Sequence, residues 1–184
     1  RTWDNGAGTN VWGTAANWSG DTLPTTGDTV IINNGNTVYT GDLNFPASVN
    51  ITLSGNSILS SNVNATTSGV LRFNGSGSIT VNSGSALSGS NWWDLNGGNL
   101  TFYSGAIANM ANFELKGNNK LTFILGASGF TALTPGTLRN GGVTPLNQSY
   151  VVDFASYTGA PGTFTLMDFG GNAYSSLNAT SFLT

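Results

Sequence analysis

Two residue types that supply most side-chain chemistry are missing: the 184 residues include neither a cysteine nor a histidine. Without a thiol or an imidazole there is no disulfide, no Cys nucleophile, no Ser-His-Asp triad and no thiolate or imidazole metal site. Charge is scarce as well. Lys and Arg number five, Asp and Glu eight, and charged residues make up 7% of the chain, for a net charge of −3. Five dispersed cations form no patch able to neutralise a run of phosphates, so nucleic acid is not an expected partner. No apolar run approaches the roughly 18 residues of a membrane helix, so no transmembrane segment is expected. Arg1, with no initiator Met or signal peptide before it, reads as a processed end. No cofactor and no metal are expected.

What is abundant is small and polar. Gly (26), Asn (24), Thr (24) and Ser (20) hold 94 positions. Such a composition can signal disorder, but Leu, Ile, Val and Phe still total 44 residues, about 24% of the chain. That exceeds the roughly 20% below which chains fail to collapse. The chain is expected to fold as one compact domain.

The middle of the sequence repeats. An apolar-x-apolar-x-Gly unit appears as Ile51-Thr52-Leu53-Ser54-Gly55, Leu71-Arg72-Phe73-Asn74-Gly75, Trp93-Asp94-Leu95-Asn96-Gly97 and Phe113-Glu114-Leu115-Lys116-Gly117. The glycines are spaced 20, 22 and 20 residues apart, and an earlier copy, Val30-Ile31-Ile32-Asn33-Asn34-Gly35, carries one extra residue. A second apolar pair starts at Val38, Ile58, Ile79, Leu100 and Leu121. Alternation places successive side chains on opposite sides of a strand. A glycine after each pair permits positive φ and hence a corner. Strands and corners recurring every 20 to 22 residues describe the rungs of a β-solenoid. Ile51, Leu71, Trp93 and Phe113 are expected to stack in one interior column, and Leu53, Phe73, Leu95 and Leu115 in another. Val38, Ile58, Ile79, Leu100 and Leu121 form the third. The alternative is an antiparallel β-sandwich or jelly roll, because Gly/Asn turns at this interval suit hairpins too. Ser104–Ala111 is the one helix-like stretch.

The ends differ. Residues 1–28 carry Trp3, Trp12 and Trp18 without the repeat, in a run that includes Thr2-Trp3-Asp4-Asn5-Gly6, Val11-Trp12, Ala15-Ala16-Asn17-Trp18-Ser19-Gly20-Asp21, Leu23-Pro24 and Gly27-Asp28. Toward the other end stand Tyr150-Val151-Val152-Asp153-Phe154 and Gly162-Thr163-Phe164-Thr165-Leu166-Met167-Asp168-Phe169. This arrangement resembles the autotransporter-associated β-strand repeat proteins, large bacterial surface and secreted polypeptides. The resemblance implies a right-handed parallel β-helix, export, and a place outside the cell or on its surface. It defines no catalytic residue. Physically, a solenoid must cover its terminal rungs. The expected layout is therefore a Trp-rich N-terminal cap (1–28), about five rungs (29–133), and a connector with a C-terminal β segment (134–184).

Few residues suggest chemistry. Thr52, Arg72, Asp94 and Glu114 should form one outward column, with Asp94 and Glu114 at roughly 5 Å, the spacing of a retaining glycosidase pair. The bland reading is a charge ladder on a solvated face. A second outward column, Tyr39, Leu59, Thr80, Thr101 and Thr122, has the stacked threonines of ice-binding solenoids, interrupted by Leu59 and Tyr39. Thr is also simply a good strand residue. Trp92 and Tyr103 can stack on sugar rings if exposed. Asp4, Asp21 and Asp28 suit Ca²⁺ by type, but no calcium repeat is present and turn roles fit better. The expected function is that of a non-enzymatic extracellular structural protein, a subunit of a fibre, matrix or cell-surface layer. It would assemble with copies of itself through its solenoid ends, with Trp3, Trp12, Phe164 and Phe169 at the contacts. The alternative is a carbohydrate-binding module on Trp92 and Tyr103 with glycans as partners, and less so a polysaccharide lyase or glycosidase.

Overall fold

A computed structural model of the chain describes residues 1–33, 35–40, 43–45, 50–53, 58–61, 64–67, 71–130, 133–134, 137–140, 149–160, 163 and 165–167. Among these the one helical piece is a 3-10 turn at Ala15–Asn17. The strands in order are β1 (Thr29–Ile32), β2 (Thr37–Tyr39), β3 (Leu43–Phe45), β4 (Asn50–Leu53), β5 (Ile58–Ser61) and β6 (Asn64–Thr67). They continue as β7 (Leu71–Gly75), β8 (Ser78–Val81), β9 (Ala86–Tyr103), β10 (Ile107–Ile124), β11 (Thr137–Asn140) and β12 (Ser149–Asp153). The expected helix-like stretch is instead a turn leading into β10. Thr137–Asn140, within the stretch expected as a connector, is a strand.

Among the described residues every strand pair is parallel, which sets aside the sandwich alternative. Parallel partners lying about one repeat apart in sequence coil the sheet into an all-β solenoid of about three turns. The sheet presents three faces. The first stacks β1, β4, β7, residues 92–96 of β9, residues 112–116 of β10, and β11. The second stacks β2, β5, β8, residues 98–103, residues 119–124, and β12. The third stacks β3, β6, residues 86–89 and residues 107–110. β9 and β10 each run unbroken for 18 residues round two corners.

The corners explain the glycines. Gly35, Gly75, Gly97, Gly98 and Gly117 all have positive φ, a region that a Cβ disfavours. Gly98 shows a second reason: a Cβ there would lie 2.7 Å from the Gly77 carbonyl oxygen, so adjacent rungs touch backbone to backbone.

The interior columns follow the repeat with two corrections of register. On the first face Val30, Ile51, Phe73, Leu95 and Leu115 form one ladder, and Leu71, Trp93 and Phe113 another. Ile51 therefore pairs with Phe73 and not with Leu71. A two-residue slip keeps each side chain on its own face, so alternation alone does not detect it. On the second face the ladder is Val38, Leu59, Ile79, Leu100, Leu121 and Tyr150. Here the slip is one residue. Leu59 is buried and Ile58 is not, because two adjacent apolar residues leave the alternation ambiguous at that point. Inside, Phe73 meets Trp93 at 5.5 Å between ring centroids, and Phe102 stacks on Phe123 at 6.0 Å.

Candidate functional site

Four charged side chains, Arg72, Asp94, Glu114 and Lys116, gather on the outward side of the first face. Because β4 slips by two, the column that contains Arg72, Asp94 and Glu114 runs through Asn50, not Thr52, and the backbone places Arg139 next after Glu114. Asp94 and Glu114 are neighbours as expected. The residue not foreseen is Lys116, two positions beyond Glu114 and hence on the same side of the sheet. Its Nζ lies 2.9 Å from Asp94 Oδ2 and 3.0 Å from Glu114 Oε2, while Arg72 Nε stands 3.5 Å from the same Asp94 oxygen. Hydrogen bonding to Asp94, and then to Glu114, raises the Lys116 pKa above its ordinary value against the opposing effect of partial burial. Asp94 is 7% exposed, and its Oδ1 is buried without a hydrogen-bond partner. Beside this cluster, Asn96 Nδ2 donates to Asn74 Oδ1 at 3.3 Å, a polar rung-to-rung bond along the next column.

The second face carries the other candidates. With Leu59 turned inward, the outward column reads Tyr39, Ser60, Thr80, Thr101, Thr122 and Val151. Ser60 is buried, and its hydroxyl accepts from Asn82 Nδ2 at 2.9 Å. Tyr103 follows two residues after Thr101 on this side, and Tyr39 and Tyr103 are each 39% exposed. Trp92 lies in the first-face segment of β9, before the Gly97-Gly98 corner, whereas Tyr103 ends its second-face segment. The fold does not bring these two together.

Trp3, Trp12 and Trp18 pack on one another inside the molecule, with ring centroids 4.9 Å apart for Trp3 and Trp18 and 4.7 Å for Trp12 and Trp18, both edge to face. Trp18 Nε1 donates to the Trp12 carbonyl at 2.8 Å. The backbone around them joins the sheet: Trp3 N donates to Ile31 O at 2.8 Å, and Trp12 N to Tyr39 O at 2.9 Å. Asn17, fully buried, ties the segment together by donating to Thr9 Oγ1 and to the Val11 carbonyl and by accepting from Ala7 N. That residue was not foreseen, since a buried Asn resembles any turn Asn in sequence.

The candidate calcium residues serve turns. Asp4 Oδ1 accepts from Gly6 N at 3.0 Å, and Asp28 Oδ2 accepts from Thr25 N at 2.8 Å. The backbone hydrogen bond from Thr25 holds the Asp28 carboxyl below its usual pKa, with Arg1 contributing a weaker attraction. Among the described residues no group of three acidic side chains converges on a metal position. Toward the C-terminal end Leu133 bridges in parallel to Met167. Phe164 and Phe169 lie outside the described residues.

Comparison with known proteins finds no matching family model, no matching curated protein and no matching solved structure.

Proposed function

We propose that the chain is a non-enzymatic extracellular structural protein, a subunit of a fibre, matrix or cell-surface layer that assembles through its solenoid ends. The observation that carries this reading is one-sided pairing: among the described residues β11 and β12 pair only with β10. A strand paired on one side presents a row of N–H and C=O groups to another chain. Strand addition at such an edge supplies main-chain hydrogen bonds. A head-to-tail joint of this kind does not close, so it builds filaments.

In this reading the coil is right-handed, as parallel crossovers almost always are. It holds about five rungs, as the successive ladder members Val30, Ile51, Phe73, Leu95 and Leu115 suggest. Residues 1–28 are the cap; Trp3 and Trp12, expected as contacts of the N-terminal joint, are buried at 2% and 1% exposure and back the joint from inside. Phe164 and Phe169 belong to the opposite joint. Export and a bacterial surface location rest on the likeness to autotransporter-associated repeat proteins and on the Asn/Ser/Thr-rich, weakly charged composition.

Sedimentation and negative-stain imaging over a range of concentrations test the proposal. Filaments or concentration-dependent oligomers are expected, and Phe154→Lys should weaken them, because Phe154 directly follows β12 and is 54% exposed. A monomer at the highest concentration reached, with no filaments, would overturn it.

A further inference from the structure

We infer that the outward side of the second face binds an extended, uncharged polysaccharide whose chain lies along the solenoid axis. The register puts Tyr39, Ser60, Thr80, Thr101 and Thr122 in one straight column, with Ser60 buried and Tyr103 alongside Thr101. The hydroxyls of Thr80, Thr101 and Thr122 and the phenols of Tyr39 and Tyr103 have no hydrogen-bond partner among the described residues. Neither tyrosine ring packs on another aromatic ring there. Donors, acceptors and two ring faces are therefore all available to a ligand, on a sheet already held rigid by its ladders.

Elimination narrows the ligand. β8 and the second-face segment of β9 are paired on both sides, so this surface has no free backbone edge to add a peptide strand. From Tyr39 to Tyr103 the column carries no charge; Lys120 and Asp153 stand farther along the axis. A phosphate-bearing or polyanionic chain would find no counter-charge there. What remains matches a neutral sugar polymer. Pyranose rings have an apolar C–H face that stacks on an aromatic ring and a rim of hydroxyls that pairs with hydroxyls. Rung steps of about 4.8 Å place Tyr39 and Tyr103 three steps, about 14 Å, apart along the axis. That is roughly the length of three sugar rings, with the Thr80 hydroxyl offered between the two stacking sites and Thr101 beside the second; Ser60, on the step after Tyr39, is buried and already bonded to Asn82. Such preorganisation limits the ordering cost of binding.

The test is depletion of the purified full chain from solution by insoluble cellulose, chitin and xylan, with pectate as an anionic control. Expected is retention on at least one neutral polymer, unchanged by high salt. Tyr39→Ala and Tyr103→Ala should each weaken it by about five- to tenfold, Tyr103→Phe should not, and Thr101→Glu should abolish it. Unchanged thermal melts establish that the variants are folded. Retention on none of the neutral polymers, or retention that both alanine variants leave unchanged, overturns the inference. So does thermal hysteresis of ice without glycan retention, which would assign the threonine column to ordered water.

Discussion

Gly98 approaches the backbone of Gly77 so closely that a methyl group on it would sit 2.7 Å from the Gly77 carbonyl oxygen, a distance no real Cβ tolerates. Its φ of 82° adds a second penalty for any L side chain. Gly98→Ala should therefore destabilise the fold by at least about 2 kcal/mol, from left-handed backbone strain plus the displacement of a rung. Gly84 is the control. Its φ is also positive, at 73°, but nothing lies within 4 Å of a Cβ built there. Gly84→Ala should cost only about 1–2 kcal/mol. Equal losses in chemical denaturation would show that rung contact contributes nothing.

The two register findings can be separated by substitution. Leu59→Ala removes a fully buried side chain and should cost about 2–5 kcal/mol. Ile58→Ala, at a partly exposed outward position, should cost much less. If the second-face ladder ran through Ile58, the order would reverse.

In the N-terminal tryptophan cluster, Trp18→Phe keeps an aromatic ring but leaves the Trp12 carbonyl without its indole donor. A loss of roughly 1–3 kcal/mol is expected. Trp18→Ala should cost about 3–5 kcal/mol. Tryptophan fluorescence melts of both variants give the comparison.

Alkaline pH should weaken the fold, and the sign follows from two groups. Lys116 has a pKa raised above its ordinary 10.5 by its carboxylate partners, and Tyr150 one raised above 10.0 by burial. In each case the unfolded chain loses its proton first, so the stabilisation is complete below these ordinary values and is lost as pH rises through the folded-state ones. Lys116→Met and Tyr150→Phe should each flatten the alkaline side of the melting profile. Lys116→Met should also lower stability near neutrality, because Asp94 and Glu114 then face one another without the shared cation. Adding Glu114→Gln should restore part of that loss.

Much of this architecture was legible in the residues because glycine position and side-chain alternation are local signals. Gly75, Gly97 and Gly117 mark corners, and Val38, Ile79, Leu100 and Leu121 are interior as the pattern requires. The register was not legible, because moving a strand by two residues conserves its pattern, and at Ile58-Leu59 either residue satisfies it. Lys116 was hidden for a related reason. Its partner Asp94 lies 22 positions earlier, and only the rung alignment shows that a residue diagonal to Asp94 can reach it. On the second face the column of Tyr39, Thr80, Thr101 and Thr122 was legible, but not that Ser60 takes the place of Leu59 within it. Buried Asn17 had no sequence signal at all.

The near-constant interval between partners has a kinetic consequence. Val30, Ile51, Phe73, Leu95 and Leu115 meet across gaps of 21, 22, 22 and 20 residues, so every turn closes a loop of nearly the same size. Loop-closure entropy depends on that size, not on how many turns already exist. Once the long β9–β10 pair has formed, each further turn adds at the same entropic cost onto a finished edge. Folding can then run outward like a zipper from the middle of the chain, and insertion of a whole extra turn would lengthen the rod without lengthening the slowest step.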